Sequence, residues 1–246
     1  MCMYPSTHAT RILFFWTLLA FGTPLLAHAE MAGDWERSIT LGFNQTRGNS
    51  DTLLHRVTGR AEQIAERYEW LIDLEWTYGE SDKEKNSEFG RFGVEHKRMI
   101  NKRLFADAMG EISYDAIKEL DYRVIAGPAL GYFLLRDETF RLSAEAGPSY
   151  VAQKQGGDSE SFVALRIAED FSWRINDRAR IWQGIEYIPR VDDVNHFLLN
   201  TEAGIESAIT STLSLGITLQ HRHDSRPAED TKRNDLFLVS TLKYNF

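Results

Sequence analysis

Two histidines in the C-terminal part of the sequence have the spacing of a metal-binding pair. His221 and His223 are separated by one residue, so in a strand both imidazole rings project from the same face. Paired imidazoles are common zinc ligands, but a closed site needs further ligands. His196 falls on the opposite parity of its own segment and does not complete the set. We therefore expect no metal site and no cofactor.

A serine, a histidine and an acid arranged on one wall would support ester hydrolysis, a second kind of chemistry. His55 or His96 could supply the base of such a triad. No serine stands in a nucleophile motif that would single it out. The sequence therefore favours a protein that is not an enzyme, and a lipid-acting enzyme stays open as the alternative.

Charged side chains of both signs occupy alternate positions along much of the chain, opposite rows of apolar residues. Residues of one parity share a strand face, so these charges would meet in the lumen of a closed sheet whose apolar face points outward. There they would either pair as a structural network or line a narrow conduit for a small polar solute, and both interpretations stay open. The charges that we expect to face the lumen are Asp73, Glu75, Arg91, Glu95, Asp107, Glu111, Arg123, Arg141, Glu145, Arg166, Arg180, Glu186 and Glu202.

The elements that would position these charges are strands. All even positions from Tyr68 to Tyr78 are apolar or aromatic, whereas the odd positions include Asp73 and Glu75. An amphipathic helix would instead need apolar residues three and four apart. About twelve such segments follow one another, with approximate cores at 35–46, 52–64, 67–79, 88–99, 103–115, 121–134, 139–153, 161–174, 179–191, 195–208, 212–223 and 234–246.

The segment from Tyr68 to Tyr78 also carries a depth signal. It would span about 34 Å along a strand, or about 25 Å vertically at a tilt near 40°, which is the height of a hydrocarbon band between two aromatic girdles. At mid-height, Leu74 would face lipid and Glu75 would face the lumen. We therefore expect Leu74→Arg to cost roughly 2–4 kcal/mol and Glu75→Gln to cost much less.

The predicted connections form two alternating classes. One class is short, as at Ala65-Glu66 and Thr210-Ser211, and the other is mostly longer and acidic, as at Glu80–Asn86, Gln155–Glu160 and Asp224–Asn234. Short turns on one side and longer loops on the other are typical of bacterial outer-membrane barrels. An even number of strands would also place both chain ends on one side.

The last strand carries a candidate membrane assembly signal. Leu242, Tyr244 and Phe246 share one parity, and the terminal Phe ends the apolar row. Strands that end this way resemble the closing strand of Gram-negative outer-membrane barrels. We therefore expect the barrel-assembly machinery and the lipid and lipopolysaccharide of the outer membrane as partners.

The N-terminal residues resemble a signal peptide. Ile12–Leu26 is an apolar run with Arg11 before it, and Ala27-His28-Ala29 follows as a small-x-small cleavage pattern. Removal of residues 1–29 would leave a domain of residues 30–246 and would also remove Cys2, the only cysteine. The remaining 27 Lys and Arg against 36 Asp and Glu give a net charge of −9, which disfavours nucleic acid as a partner.

An ordered set of short motifs is similar to the family of salt-induced outer-membrane proteins, also called domain-of-unknown-function family 481. One departure from the family pattern is Glu169, where an apolar residue is expected. The resemblance implies an outer-membrane barrel and no established activity. The matching segments are Gly48-Asn49-Ser50-Asp51-Thr52, Tyr78-Gly79-Glu80-Ser81-Asp82, Leu120-Asp121-Tyr122-Arg123, Ala144-Glu145-Ala146-Gly147-Pro148-Ser149-Tyr150, Glu186-Tyr187-Ile188-Pro189, Leu199-Asn200-Thr201-Glu202-Ala203-Gly204 and the terminal strand.

The sequence thus predicts an all-β protein, an antiparallel transmembrane barrel of about twelve strands in the bacterial outer membrane. Its expected role is that of a narrow channel or of an envelope factor in osmotic or salt stress. A lipid-acting outer-membrane enzyme and a soluble periplasmic β protein are the alternatives.

Overall fold

The computed structural model describes residues 34–47 and 51–246. The predicted signal peptide, 1–29, and the motif residues Gly48-Asn49-Ser50 lie outside these ranges. The described residues form twelve strands: β1 (Glu36–Thr46), β2 (Thr52–Ile64), β3 (Tyr68–Ser81), β4 (Glu84–Met99), β5 (Leu104–Asp115), β6 (Leu120–Arg136), β7 (Phe140–Gln155), β8 (Asp158–Arg174), β9 (Ala179–Pro189), β10 (Phe197–Ala208), β11 (Leu213–Asp224) and β12 (Asn234–Asn245).

These strands form a closed antiparallel barrel in which each strand pairs with its neighbours in sequence. Closure is made by β1 and β12, with pairs from Ser38↔Asn245 to Phe43↔Ser240. Because the sheet is closed, no strand is left with an unpaired edge. No helix within the described ranges has the length and apolar character needed to cross a membrane. The predicted fold class and strand number are confirmed.

The two faces of the wall differ in polarity in the sense that the alternation predicts. On β3, Leu74 is 56% exposed on the outside, whereas Glu75 is 4% exposed on the inside. The same contrast continues along the strand, because Trp76 is exposed and Thr77 is buried. Large apolar side chains thus cover the outer surface, which is the inverse of a water-soluble barrel and the surface that lipid requires.

The prediction of long acidic connections at one end was wrong for two of the hairpins. β3 and β4 are joined by Asp82 and Lys83 alone, both with positive φ (51° and 68°). β7 and β8 are joined by Gly156 and Gly157, also with positive φ. Two consecutive residues of this kind make a tight hairpin turn, so the polar residues beside them extend the strands. The long connections at this end are 190–196 and 225–233.

Glu169 does not disturb the eighth strand. β8 pairs with β7 without a register shift, from Phe140↔Trp173 to Gln155↔Asp158. The carboxylate of Glu169 stays on the outer face, where Gln183 Nε2 donates a hydrogen bond to it at 2.8 Å. A neighbouring polar side chain therefore accommodates this departure from the family pattern, and the strand keeps its register.

The outer face provides a depth-dependent test of the membrane assignment. We expect Leu74→Arg to lower the free energy of unfolding by about 2–4 kcal/mol, because this substitution places a cation near the bilayer midplane. Tyr78→Arg, on the same face near the end of the strand, should cost only about 0–1 kcal/mol. Denaturant unfolding of the barrel in liposomes measures both values. Equal costs at the two positions would contradict a lipid-facing belt.

Candidate functional site

The lumen is crossed at mid-height by ion pairs that converge on Glu75. Arg56 Nη2 on β2 lies 2.6 Å from Glu75 Oε1, and Arg222 Nη2 on β11 lies 2.5 Å from the same oxygen. Thr77 Oγ1 donates a further hydrogen bond to it at 3.1 Å. Because β3 and β11 are separated by β2, β1 and β12, the Arg222 side chain spans the lumen to reach this carboxylate. Glu75 is therefore the centre of a cross-lumen network.

Arg91 extends this network to β5. Its guanidinium lies 2.6 Å from Asp73 and 3.1 Å from Glu111, and its Nε lies 3.9 Å from Glu75. On the other side of the network, the Arg222 guanidinium lies over the ring of Phe89, 3.5 Å from its centroid. The carboxylate and the aromatic face both stabilise the guanidinium and offset part of the cost of removing it from water. These contacts fix the arginine side chains across the middle of the lumen.

A second network fills the half of the lumen near the turns 65–67, 100–103 and 137–139. Arg166 on β8 lies 2.6 Å from Glu145 and 2.6 Å from Glu186. Lys97 on β4 lies 3.2 Å from both Glu145 and Glu95. Four strands are therefore connected through the carboxylate of Glu145 and its two cations.

A third group of contacts closes the opposite end. Arg123 Nη2 on β6 lies 2.7 Å from Asp224 Oδ2 on β11, and Arg123 Nε donates to Gln153 at 2.6 Å. Five strand-to-strand steps separate β6 from β11 around the barrel, so this ion pair crosses nearly its full width. The prediction that Asp224 begins a loop was wrong: it is the last residue of β11 and is 3% exposed.

Aromatic rings line the turn end of the lumen on β5 and β6. Phe105 and Phe133 are fully buried, with ring centroids 4.8 Å apart. Gly131 leaves the space that the Phe105 ring occupies, since a Cβ there would lie 2.1 Å from that ring. The guanidinium groups of Arg136 and Arg141 each lie 4.6 Å from the Phe133 centroid, and both pair with Glu69. Arg141 thus takes part in a stacked cap instead of facing open water.

The remaining predicted lumen residues are Asp107, Arg180 and Glu202, and Asp107 lies beside the second network, with Oδ2 3.6 Å from Arg166 Nη1. Arg180 Nη2 lies 3.5 Å from Glu206. Glu202 accepts hydrogen bonds from Trp182 Nε1 and Gln220 Nε2, both at 3.3 Å. These contacts are made to neutral donors, so the Glu202 carboxylate has weaker support than Glu75.

Part of the inner wall is apolar, which is not among the expectations from the sequence. This apolar patch lies on β6 to β10 towards the end opposite the turns 65–67, 100–103 and 137–139, and it comprises Ile125, Val151, Phe162, Ala164, Ile188 and Leu198. Parity is a signal that could have revealed it, because Phe162 and Ala164 share a parity with Arg166. The inner face is thus charged along much of its length and apolar in this part.

The histidine pair lies outside the lumen. His221 Nε2 and His223 Nδ1 contact the same oxygen of Asn234, at 3.0 and 2.8 Å. His196 is 4% exposed in the connection 190–196, with its ring 5.3 Å from that of Phe162. Burial lowers the pKa of His196 and favours the neutral ring. The three histidines do not converge.

The two histidines considered for catalysis pack against outward-facing aromatic rings. His96 stacks on Trp70, with ring centroids 4.1 Å apart. His55 lies 5.4 Å from the ring of Phe43. Polar aromatic rings at the ends of a barrel wall are typical of the membrane interface. The imidazole rings of His55 and His96 therefore lie among the aromatic side chains of the outer face.

The Glu75 network changes the expectation for Glu75→Gln, which the sequence alone predicted to cost much less than Leu74→Arg. Removing one member of a buried pair leaves uncompensated charge and costs about 3–5 kcal/mol. We expect Glu75→Gln to destabilise the barrel by that amount, because it leaves Arg56 and Arg222 without their shared carboxylate. Glu202→Gln is the matched control and should cost about 1 kcal/mol, because the donors to Glu202 are neutral and no partner charge is left unpaired. Equilibrium unfolding of the refolded barrel distinguishes the two, and a tolerant Glu75 would contradict the network.

The sequence and the fold were compared with known proteins. No curated protein matches the sequence. An outer-membrane channel from Pseudomonas putida F1 has a similar fold, with a TM-score of 0.53 and 10% identity over 92% of this chain and 100% of that chain. The NanC porin has a TM-score of 0.50 and 8% identity over 85% of this chain and 97% of that chain. At these identities the likeness concerns the fold alone.

A family model described as "Protein of unknown function, DUF481" matches residues 39–246. The match begins in β1 and continues through the terminal strand, so it covers nearly the whole barrel. It agrees with the resemblance found in the sequence motifs. The chain therefore belongs to the DUF481 family.

Proposed function

We propose that the protein resides in the bacterial outer membrane and forms a narrow, non-enzymatic channel whose lumen is held nearly closed by its own ion pairs. The observation that carries this proposal is the pair between Arg123 and Asp224, which joins strands on nearly opposite sides of the barrel. The network around Glu75 lies below this pair, so a solute would meet these two obstructions in series before it reached the second network, at Glu145. The outward apolar surface supports the location in lipid.

A small cavity lies against the inner wall of β4, β11 and β12, lined by residues that include Phe89, Lys118, Arg222 and Asp235. Its volume of about 10 Å³ is the room that about one water molecule needs. Lys118 and Asp235 also form an ion pair at 2.6 Å in its lining. The side chains around this cavity are therefore closely packed, which supports a narrow channel.

We expect the purified barrel to have little or no conductance in planar bilayers. A variant without two cross-lumen contacts, made by substituting Arg123, Asp224, Glu75 and Arg222 with serine, should conduct measurably more. It should also melt at a lower temperature, because the same contacts join distant strands. Removing acids and bases in equal number keeps the net charge of the lumen unchanged.

The control for this experiment is an exposed ion pair. Lys154 and Asp121 lie 2.7 Å apart, with side chains that are 42% and 59% exposed. Replacing both with serine should leave conductance and melting temperature nearly unchanged, since exposed pairs contribute at most about 1 kcal/mol. A large, steady conductance of the wild-type barrel would refute the closed lumen and favour a general porin. Phospholipid hydrolysis that is lost in His96→Ala would favour the enzyme.

We also propose that the terminal Phe246 is read by the barrel-assembly machinery. Its side chain is 61% exposed on the outer face, beside Tyr244 at a ring separation of 6.1 Å. Its backbone N–H already completes the barrel by donating to Arg37 O at 3.0 Å. The side chain therefore adds little packing to the finished fold, which leaves recognition during insertion as its role. Export with cleavage after Ala29 would precede this step.

A role of Phe246 in assembly predicts that its loss affects the amount of inserted barrel and not the stability of the folded barrel. We expect Phe246→Ala to lower the amount of heat-modifiable barrel in cell membranes several-fold and to change the unfolding of the refolded protein little. Leu236→Ala is the control, since Leu236 is 68% exposed on the outer face of the same strand. Equal membrane levels of the two variants would argue against the signal.

A further inference from the structure

Three carboxylates from three strands meet in the turn-side half of the lumen. Glu95 on β4, Asp107 on β5 and Glu145 on β7 each offer an oxygen, and these oxygens all lie within 4.8 Å of one another. Asp107 and Glu145 are buried, with 3% and 4% exposure. We call these three residues the acid cluster. Buried like charges repel strongly unless something compensates them.

Asp107 is the member that is left without support. Its side chain is completely buried, and neither carboxylate oxygen has a hydrogen-bond partner among the described residues. Arg166 Nη1 lies 3.6 Å from Asp107 Oδ2, which is too long for a hydrogen bond. Buried carboxylates in folded proteins nearly always have a partner, so this side chain points to a missing ligand.

The charges around the acid cluster do not balance. Lys97 lies between Glu95 and Glu145 at 3.2 Å from each, and Arg166 is shared by Glu145 and Glu186. Asp170 Oδ2 also lies 3.9 Å from Lys97 Nζ, but its side chain is 62% exposed and is therefore solvated. The two cations thus serve four less exposed carboxylates, which leaves two negative charges when all four are ionised. One divalent cation would supply the charge that the side chains lack.

We propose that the acid cluster binds one calcium ion. Calcium takes oxygen ligands at 2.3–2.6 Å in irregular geometry, whereas magnesium requires a near-ideal octahedron and keeps most of its water. The three carboxylates offer oxygens within 4.8 Å of one another, and water would complete the six to eight ligands that calcium takes. Lys97 Nζ, which lies 3.2 Å from Glu95 and from Glu145, would have to withdraw from between them as the ion enters. The ion would connect β4, β5 and β7 and would give Asp107 its partner. This inference departs from the absence of metal expected from the sequence.

The site can be tested by stability, which does not depend on whether the barrel conducts. The protein is refolded in detergent free of lipopolysaccharide, stripped with EDTA and titrated with CaCl₂ while its melting temperature is recorded. We expect a saturable rise in melting temperature that NaCl at equal ionic strength does not reproduce. Calorimetric titration should give one site per barrel, with magnesium at least tenfold weaker.

The decisive variant is Asp107→Asn, which should weaken calcium binding at least tenfold. Asp73→Asn is the matched control: Asp73 is also a lumen aspartate, but it pairs with Arg91 at 2.6 Å outside the acid cluster. It should respond to calcium as the wild type does. If Asp107→Asn does not refold, Glu95→Gln takes its place, because the Glu95 side chain is 19% exposed and less tightly enclosed.

Two results would overturn the proposal. One is a wild-type barrel whose melting temperature and calorimetric signal are unaffected by calcium; if Asp107→Asn then raises stability in EDTA, the Asp107 carboxyl holds a proton instead of a metal ion. The other is an Asp107→Asn variant that responds as strongly as the wild type, which would place calcium elsewhere.

Discussion

The cost of enclosing charge inside a closed sheet governs much of this structure. Alternation sends the apolar side chains of each strand outward, so the charged side chains of the same strands must share a confined space. An ion removed from bulk water costs several kcal/mol unless a partner of opposite charge and good geometry is available. The lumen therefore carries networks of shared carboxylates and guanidinium groups, and these networks also obstruct it.

Sharing explains why the arginines occupy the centre and why one carboxylate serves several of them. A guanidinium presents five donors in a planar fork, so Arg91 reaches Asp73 and Glu111 together. Its flat face also stacks on a ring, as Arg222 does on Phe89. A lysine offers a point charge instead. Lys97, which lies beside the acid cluster, is accordingly placed between two carboxylates, those of Glu95 and Glu145.

Alternation in the sequence was enough to predict the twelve strands. It could not predict the tight turns at Asp82-Lys83 and Gly156-Gly157, because polar residues beside a turn are equally compatible with a loop or with a longer strand. Alternation also could not predict which charged residues pair with each other across the lumen. Arg123 and Asp224 are 101 residues apart in sequence, and only the tilt and register of twelve strands bring them together.

The balance of charge also differs along the axis of the barrel, which a list of lumen residues does not reveal. At mid-height three arginines face three acids, Arg56, Arg91 and Arg222 with Asp73, Glu75 and Glu111, so this level is neutral. Nearer the turns, the acid cluster and Glu186 outnumber Lys97 and Arg166, whereas at the end of the lumen Arg136 and Arg141 outnumber Glu69. The excess of negative charge is therefore local to the acid cluster, and a small cation would be attracted there. An ion bound in the acid cluster would remove this local excess.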